Sequence, residues 1–105
     1  MAYKNISMVR GDTLAFGMEF EGLDQDLSSA YFTCRNGWEG EIVFQKSLGS
    51  GITKVETGVY RVRVAPSDTA EVTPAHYVYD LEIGANGDKF TILKGILDIE
   101  PDATY

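Results

Sequence analysis

Few side chains in this sequence are of the types that perform catalysis. His76 is the only histidine and Cys34 the only cysteine, so a serine or cysteine nucleophile would need His76 as its base. Neither Cys34 nor any serine lies in the sequence context of a nucleophile elbow. Cys34 shares its alternation phase with Ala30 and Phe32, which favours a small buried hydrophobic residue over a reactive thiol. We therefore expect no catalytic residues and a non-enzymatic protein.

Acidic side chains are the second group that could do chemistry. Asp24 and Asp26, with Asp12 or Asp102, could offer carboxylate oxygens to calcium. The loop around Asp24 lacks the glycine and the terminal acid of an EF-hand, which favours a solvated acidic loop. We therefore expect no bound metal and no cofactor.

Aromatic side chains offer a binding function instead of a catalytic one. Trp38 follows an Asn-Gly pair, Asn36-Gly37, at the tip of a predicted hairpin. Trp38 together with Tyr31 or Tyr60 could stack on a sugar ring, as aromatic residues do in carbohydrate-binding modules. A carbohydrate- or peptide-binding module is therefore the alternative function.

Size and charge limit the classes of partner. With 105 residues we expect a single domain, residues 1–105, and a net charge of −7 with scattered basic residues argues against nucleic acid and against an anionic membrane surface. The lone cysteine fits a reducing cytoplasm. We expect no signal peptide, because the first residues have neither a basic start nor a long apolar run, and no membrane span, because no segment approaches the roughly 20 apolar residues that cross a bilayer.

A C-terminal hairpin organises the predicted fold. Tyr77, Tyr79, Leu81 and Ile83 share one phase of residues 76–83, against His76, Asp80 and Glu82 in the other, and the pair Asn86-Gly87 follows, which favours a tight turn. A second strand, 89–100, then returns along the first. We expect this hairpin at the centre of a sheet.

Short alternating segments separated by turn residues fill the rest of the chain. The predicted strands are 3–9, 13–20, 30–35, 41–46, 52–55, 59–64, 76–83 and 89–100, with one helical turn at 66–71. Seven to eight such strands predict an all-β, immunoglobulin-like antiparallel β-sandwich. In that fold a tyrosine near a strand start bonds to upstream backbone, and Tyr77 is the candidate.

The alternation also predicts which side chains are buried. The expected core residues are Leu14, Phe16, Phe32, Tyr60, Val62, Tyr79, Leu81 and Leu97. Truncating Phe16 to alanine should then cost about 3–5 kcal/mol.

The last strand has apolar residues in both phases. Leu93, Leu97 and Ile99 share one phase, while Phe90, Ile92 and Ile96 share the other. A bulge at Lys94-Gly95 would switch the phase and hide Phe90 and Ile92, yet Ile96 would stay outside. We therefore predict an interface centred on Phe90, Ile92 and Ile96, for a homo-oligomer or another partner.

Four motifs, in order, resemble a family of small phage and prophage structural domains. They are MVRGDTLAF at 8–16, DLS at 26–28, P-x-x-Y-x-Y-D-L at 74–81, and T-x-L-x-G-x-L-x-I at 91–99 followed by D-x-T at 102–104. Such domains are similar to the N-terminal part of upper baseplate proteins in siphophages of Gram-positive bacteria. The resemblance implies an immunoglobulin-like building block of a virion or tail, partnered by other phage structural proteins or by copies of itself. It also implies a location in the bacterial cytoplasm during assembly and then in the virion.

Calcium should not stabilise this protein, because its carboxylates are spread among turns and do not cluster at ligand spacing. Tight binding to the native state would raise the melting temperature. We expect an unchanged melting temperature in millimolar calcium, measured by scanning calorimetry against the same concentration of magnesium. A calcium-specific rise of several degrees would instead assign Asp24 and Asp26 as ligands.

Overall fold

Strands make up nearly all of the regular structure. The computed structural model describes residues 2–21 and 25–103. Its elements are β1 (Ala2–Tyr3), β2 (Ile6–Val9), β3 (Leu14–Glu19), β4 (Ser29–Arg35), β5 (Ile42–Leu48), β6 (Gly51–Glu56), β7 (Val59–Val64), α1 (Pro66–Thr69), β8 (Ala75–Ala85) and β9 (Asp88–Glu100). The four-residue α1 is the only helix in the described part of the chain, and no helix there is long and apolar enough to cross a membrane.

The strands form one curled sheet in the order β1-β9-β8-β4-β5-β6-β7-β3, with β2 also paired to β9. The strands β9-β8-β4 and β3-β7-β6 follow the neighbour order of the two sheets of an immunoglobulin domain. The curl brings β3 against β4, since the rings of Phe16 and Phe32 lie 5.5 Å apart. The all-β, immunoglobulin-like fold is thus confirmed, although the described residues form nine strands and not seven to eight, and β1 and β2 pair with β9, and β5 with β6, in parallel.

The predicted tyrosine contact is present at the start of β8. The hydroxyl of Tyr77 donates a hydrogen bond to the carbonyl oxygen of Thr73, four residues upstream. Just before it, α1 crosses the end of the sandwich, and the buried hydroxyl of Thr69 accepts a hydrogen bond from Gly11 N–H at 2.9 Å. These bonds fix the corner from which β8 enters the core.

The two Asn-Gly pairs make different turns. Asn86 and Gly87 both have positive φ, 56° and 82°, as a two-residue hairpin turn of type I′ requires, and they close the predicted β8–β9 hairpin. The β4–β5 loop is longer. The backbone hydrogen bond that closes it runs from Asn36 N–H to Glu41 O at 2.9 Å, so residues 37–40 lie between the bonded pair. That length lets Trp38 fold back towards Lys94 of β9.

Six of the eight predicted core residues are buried, namely Phe32, Tyr60, Val62, Tyr79, Leu81 and Leu97. Leu14 and Phe16 are only partly buried, which corrects the prediction for both. They lie on β3, which has a neighbouring strand on one side only, so their inward-facing side chains are incompletely covered. Phe32 instead lies at the centre of the core and contacts the rings of Phe16, Phe44 and Tyr79.

Truncating Phe32 should destabilise the protein more than truncating Phe16. Phe32→Ala removes a fully buried ring and leaves a cavity, at a cost of about 3–5 kcal/mol. Phe16→Ala should cost clearly less, because its ring is already partly in water. Urea unfolding of both variants measures the difference, and equal losses would mean that Phe16 is as well covered as Phe32.

Candidate functional site

The outer face of β9, β8, β4 and β5 carries the densest group of chemically versatile side chains. Asp80 lies between the buried residues Tyr79 and Leu81 on β8, so its side chain points to the outside. The residues paired with Asp80 on the neighbouring strands, and the residues paired with those in turn, form a row across the face. The row runs Tyr3, Lys94, Asp80, Thr33 and Gln45.

Lys94 lies between two exposed aromatic rings. Its Nζ is 4.8 Å from the ring centroid of Trp38 and 5.5 Å from that of Tyr3. Cations at these distances are attracted to the electron-rich faces of aromatic rings. Trp38 and Tyr3 remain 52% and 72% exposed, so the Tyr3–Lys94–Trp38 cluster leaves much aromatic surface in water.

Loop geometry places Trp38 over the sheet. Gly37 adopts a φ of 98°, which favours glycine, and its carbonyl accepts a hydrogen bond from Gly40 N–H at 3.0 Å. Arg35, at the end of β4, donates through Nη1 to Gly40 O at 2.9 Å. The loop is thereby tied to the strand beneath it.

A polar trough of 210 Å³ lies beside this cluster. It is lined by Tyr31, Thr33, Arg35, Gln45, Asp80 and Glu82. Partial burial raises the pKa of Asp80, and the neighbouring Glu82 carboxylate raises it further, against the opposing charges of Arg35 and Lys94. Gln45 Nε2 donates to Thr33 Oγ1 at 2.9 Å and so fixes the amide orientation. The trough offers carboxylates, an amide, a guanidinium and an aromatic wall.

The structure separates the three aromatic residues proposed as sugar-stacking partners. Tyr31 lines the trough, and Trp38 lies over the neighbouring depression that shares Arg35 and Asp80 with it. Tyr60, by contrast, is 1% exposed in the core, and its hydroxyl accepts a hydrogen bond from Leu27 N–H at 2.9 Å. The assignment of Tyr60 to a surface binding site was therefore wrong, because an inward-facing ring cannot stack on a surface ligand.

The predicted interface residues do not share one face. The bulge in β9 falls at Ile92, where Leu81 pairs with Leu93 but Glu82 pairs with Thr91, and not at Lys94-Gly95 as the sequence suggested. Ile92 is partly buried against the core as a result. Ile96 pairs with Val78 on the outer face and is 42% exposed. Phe90 is 51% exposed but pairs with the inward-facing Ile83, so it lies on the other side of the sheet.

The candidate catalytic residues lie apart. Cys34 is fully buried, and burial raises the pKa of its thiol to about 12, which keeps it protonated at neutral pH. His76 is largely exposed, with Nδ1 3.2 Å from an Asp98 carboxylate oxygen. Neither forms part of a nucleophile–base pair in the described structure.

Of the four carboxylates proposed as calcium ligands, Asp26 and Asp102 have basic partners, Asp12 is exposed, and Asp24 is not described. Asp26 pairs with Lys54 at 2.7 Å, and Asp102 pairs with Arg10 at 2.8 Å. Asp24 lies outside the described residues. Within residues 2–21 and 25–103, no three histidine, cysteine or acidic side chains are grouped closely enough to hold a metal ion.

Sequence reasoning missed most of this face. Its alternation did place Asp80 and Glu82 on the solvent side, but it could not join them to Arg35 and Gln45, which belong to other strands. The cluster with Lys94 needed the parallel pairing of Tyr3, a register that no local pattern specifies. Tyr31 and Trp38 were found because exposed aromatic residues near a hairpin are recognisable locally.

Comparisons with known proteins bear on the fold. No protein-family description matches the chain, and no curated protein sequence does. The chain is similar in structure to part of a provisionally assigned glycoside hydrolase from Bacteroides vulgatus ATCC 8482, with 15% identity and a TM-score of 0.53. That match covers 94% of this chain and 17% of the hydrolase, so this chain spans a small part of its length.

Two further solved structures are similar at TM-scores of 0.49. One is the ZIG-8–RIG-5 IG1–IG1 heterodimer, with 10% identity over 93% of this chain and 82% of that one. The other is murine CRIg, with 9% identity over 93% of this chain and 92% of that one. At such low identities the likeness concerns only the fold.

Asp80 should make stability depend on pH. Because its folded pKa lies above the ordinary value of 3.8, the folded state holds the proton more tightly. That stabilisation is lost as the pH rises from about 4 through the folded pKa. Asp80→Asn should therefore remove part of the decline in melting temperature over this window. Asp88→Asn, in the exposed β8–β9 hairpin end, is the matched control, and a profile unchanged by Asp80→Asn would contradict the assignment.

Proposed function

We propose that this chain is a non-enzymatic structural subunit of the phage or prophage virion or tail type, related in role to baseplate proteins, which works through protein–protein assembly. The observation that carries the proposal is the apolar surface on the outer face of β9, β8, β4 and β5. There Tyr3, Trp38 and Ile96 remain exposed around Lys94. Contiguous apolar patches mark association sites, and tryptophan and tyrosine are among the side chains that dominate binding energy at interfaces.

Charge on the same face suits a protein partner. Lys94 and Arg35 are basic, while Asp80, Glu82 and Asp98 are acidic, so the face carries both signs in a chain of net charge −7. A second copy or a neighbouring subunit can align opposite charges across such a surface. Mixed charges around an apolar patch favour the one relative placement of the two proteins that pairs opposite charges, and they disfavour placements that bring like charges together.

The order of the four sequence motifs supports the phage assignment, and the face supports the coarser statement that the chain binds protein. Nothing in the chemistry of Cys34 or His76 requires an enzyme. Tyr3, Lys94 and Ile96 lie on paired strands and Trp38 lies in a loop tied to β4 by Arg35, which suits a subunit that must hold a fixed orientation within a particle.

A carbohydrate-binding module is the second candidate, and the trough beside Trp38 favours it. Tyr31 offers a ring for stacking, and Gln45, Asp80 and Glu82 offer the hydrogen-bonding groups that sugar hydroxyls need. At 210 Å³ the trough is smaller than most ligand sites, which begin at about 300 Å³, so a sugar would be held at the surface.

Self-association through the outer face should depend on Ile96. Sedimentation velocity over a rising concentration series should show oligomers for the wild type, and Ile96→Lys should abolish them by placing a charge within the apolar surface. Val55→Lys is the matched control, because Val55 is also exposed but lies on β6 in the other layer. A wild type that stays monomeric at every concentration would refute self-association through this face.

Trp38 fluorescence distinguishes assembly from sugar binding. Trp38 is the only tryptophan, so its emission reports this face alone. We expect a concentration-dependent shift to shorter wavelength as its ring is covered, with no saturable change on adding neutral mono- or disaccharides. A saturable sugar response that Tyr31→Ala removes would establish the second candidate instead.

A further inference from the structure

One edge of the curled sheet is left without a partner strand. β3 ends the strand order and pairs only with β7 in the described structure. Phe20 N–H donates to Gly58 O at 2.8 Å, so Phe20 and every second residue before it direct their N–H and C=O groups towards β7. The N–H and C=O groups of Ala15, Gly17 and Glu19 therefore point away from β7. All three residues are exposed, so three donors and three acceptors face solvent.

An apolar groove runs along the same edge. It has a volume of 480 Å³ and lies between β3 on one side and β2 and β9 on the other. Its apolar lining includes Leu14, Phe16 and Phe20 of β3 and its flank, Ile6 of β2, and Ile92 and Leu93 of β9. Each of these six is only partly buried, whereas the inward side chains of the adjacent β7 are almost fully buried. The core is thus open where one more strand would close it.

Apart from the charge of Glu19, the described residues of this edge carry none of the devices that usually prevent strand addition. Proteins protect edges with proline, lysine, bulges or a covering segment. β3 has the sequence LAFGME, and its pairing with β7 continues over six residues without a register shift.

Gly17 is a second feature of β3 that bears on strand addition at this edge. A Cβ atom there would meet nothing closer than Tyr60 O at 3.8 Å, so the fold itself does not require glycine at this position. Glycine inside a regular strand weakens it and often marks a place where another backbone approaches. β3 has no bulge that would account for a glycine at this position.

We propose that the β3 edge binds an extended, basic segment of a partner protein as an additional strand. About six residues, at about 3.4 Å each, would cover β3 and place alternate apolar side chains in the groove. This surface is separate from the outer face, and the proposal does not depend on the proposed function.

The acidic charge at the end of β3 favours a basic segment of another protein over a second copy of this chain. Glu19 lies at the end of β3, and Glu21 follows shortly after it. Glu56 of β6 lies on the same level of the sheet, because it and Glu19 both pair with Val59 of β7. This end of the layer is therefore acidic. Opposite charges on paired strands are favourable. A second β3 has no basic residue to place opposite Glu19, and another copy would bring a further net charge of −7.

The basic residues nearby do not reverse this preference. Arg61 and Arg63 pair with Gly17 and Ala15, on the β7 side of the strand and away from the free edge. Lys4 lines the opposite wall of the groove, where the apolar side chains of the added strand would enter. The position directly beside Glu19 on the free edge therefore favours lysine or arginine in the bound segment.

A fluorescent synthetic peptide tests the proposal directly. The probe is an eight-residue peptide that alternates valine or leucine with lysine or threonine, titrated by fluorescence anisotropy. We expect saturable binding to the wild type. Methylating the peptide amides that face β3 should weaken binding at least about tenfold, because it removes the inter-strand hydrogen bonds.

Charge reversal gives the matched control. Glu19→Lys should lower affinity for the lysine peptide about two- to fivefold and raise affinity for the corresponding glutamate peptide. Glu39→Lys, in the β4–β5 loop, should leave both affinities unchanged. Ile96→Lys should also bind the peptide normally, so failure of the assembly face and failure of the β3 site can be distinguished.

Three outcomes would overturn the proposal. They are absence of saturable binding at millimolar peptide, equal binding of the methylated peptide, and oligomers that survive Ile96→Lys but dissociate in Gly17→Pro. The last would mean that a second copy occupies the edge. If Gly17→Pro does not fold, protection of the Ala15, Gly17 and Glu19 amides from hydrogen exchange on adding peptide decides the same question.

Discussion

The contact of Phe32 with three other rings is the interaction on which the rest of the structure depends. Phe32 stacks on Phe44 and Tyr79 within its own layer and meets Phe16 of β3 across the core. With one cysteine in the chain, no internal disulfide can join the two layers, so apart from the short β5–β6 pairing their attachment relies on aromatic and aliphatic packing. Tyr79 stands two residues after the corner tyrosine, where antibody domains have their second cysteine.

Tyr79 links this core to both candidate surfaces. Its hydroxyl donates a hydrogen bond to the carbonyl oxygen of Lys4, at the break between β1 and β2. Lys4 can approach because Gly95 lies beneath it, where a Cβ atom would be 2.1 Å from that oxygen. This junction holds the N-terminal strands on β9. It thereby places Tyr3 beside Lys94 on the outer face, and it leaves β3 on the other side of the groove without a neighbour.

The two surfaces suit different kinds of contact. The outer face is stiff and paired, and it offers aromatic side chains with charges of both signs, which favours docking against a folded subunit. The β3 edge offers backbone hydrogen bonds and an open core, which favours an extended segment. A chain with both surfaces could hold a folded neighbour and an extended segment of another chain at the same time, each through its own physical interaction.

The sequence by itself determined the elements, because strand alternation and the Asn86-Gly87 turn are local. It predicted Tyr77 correctly, and it placed Ile96 outside. It could not determine the position of the β9 bulge or the incomplete cover over Phe16, although its alternation did place Tyr60 in the core. Those depend on which strands become neighbours and in which register, and that choice is made by long-range packing of Phe32 and by the close approach at Gly95. Only the tertiary structure decided that Lys94, Trp38 and Asp80 share a face, since strands far apart in sequence meet there when the sheet is complete.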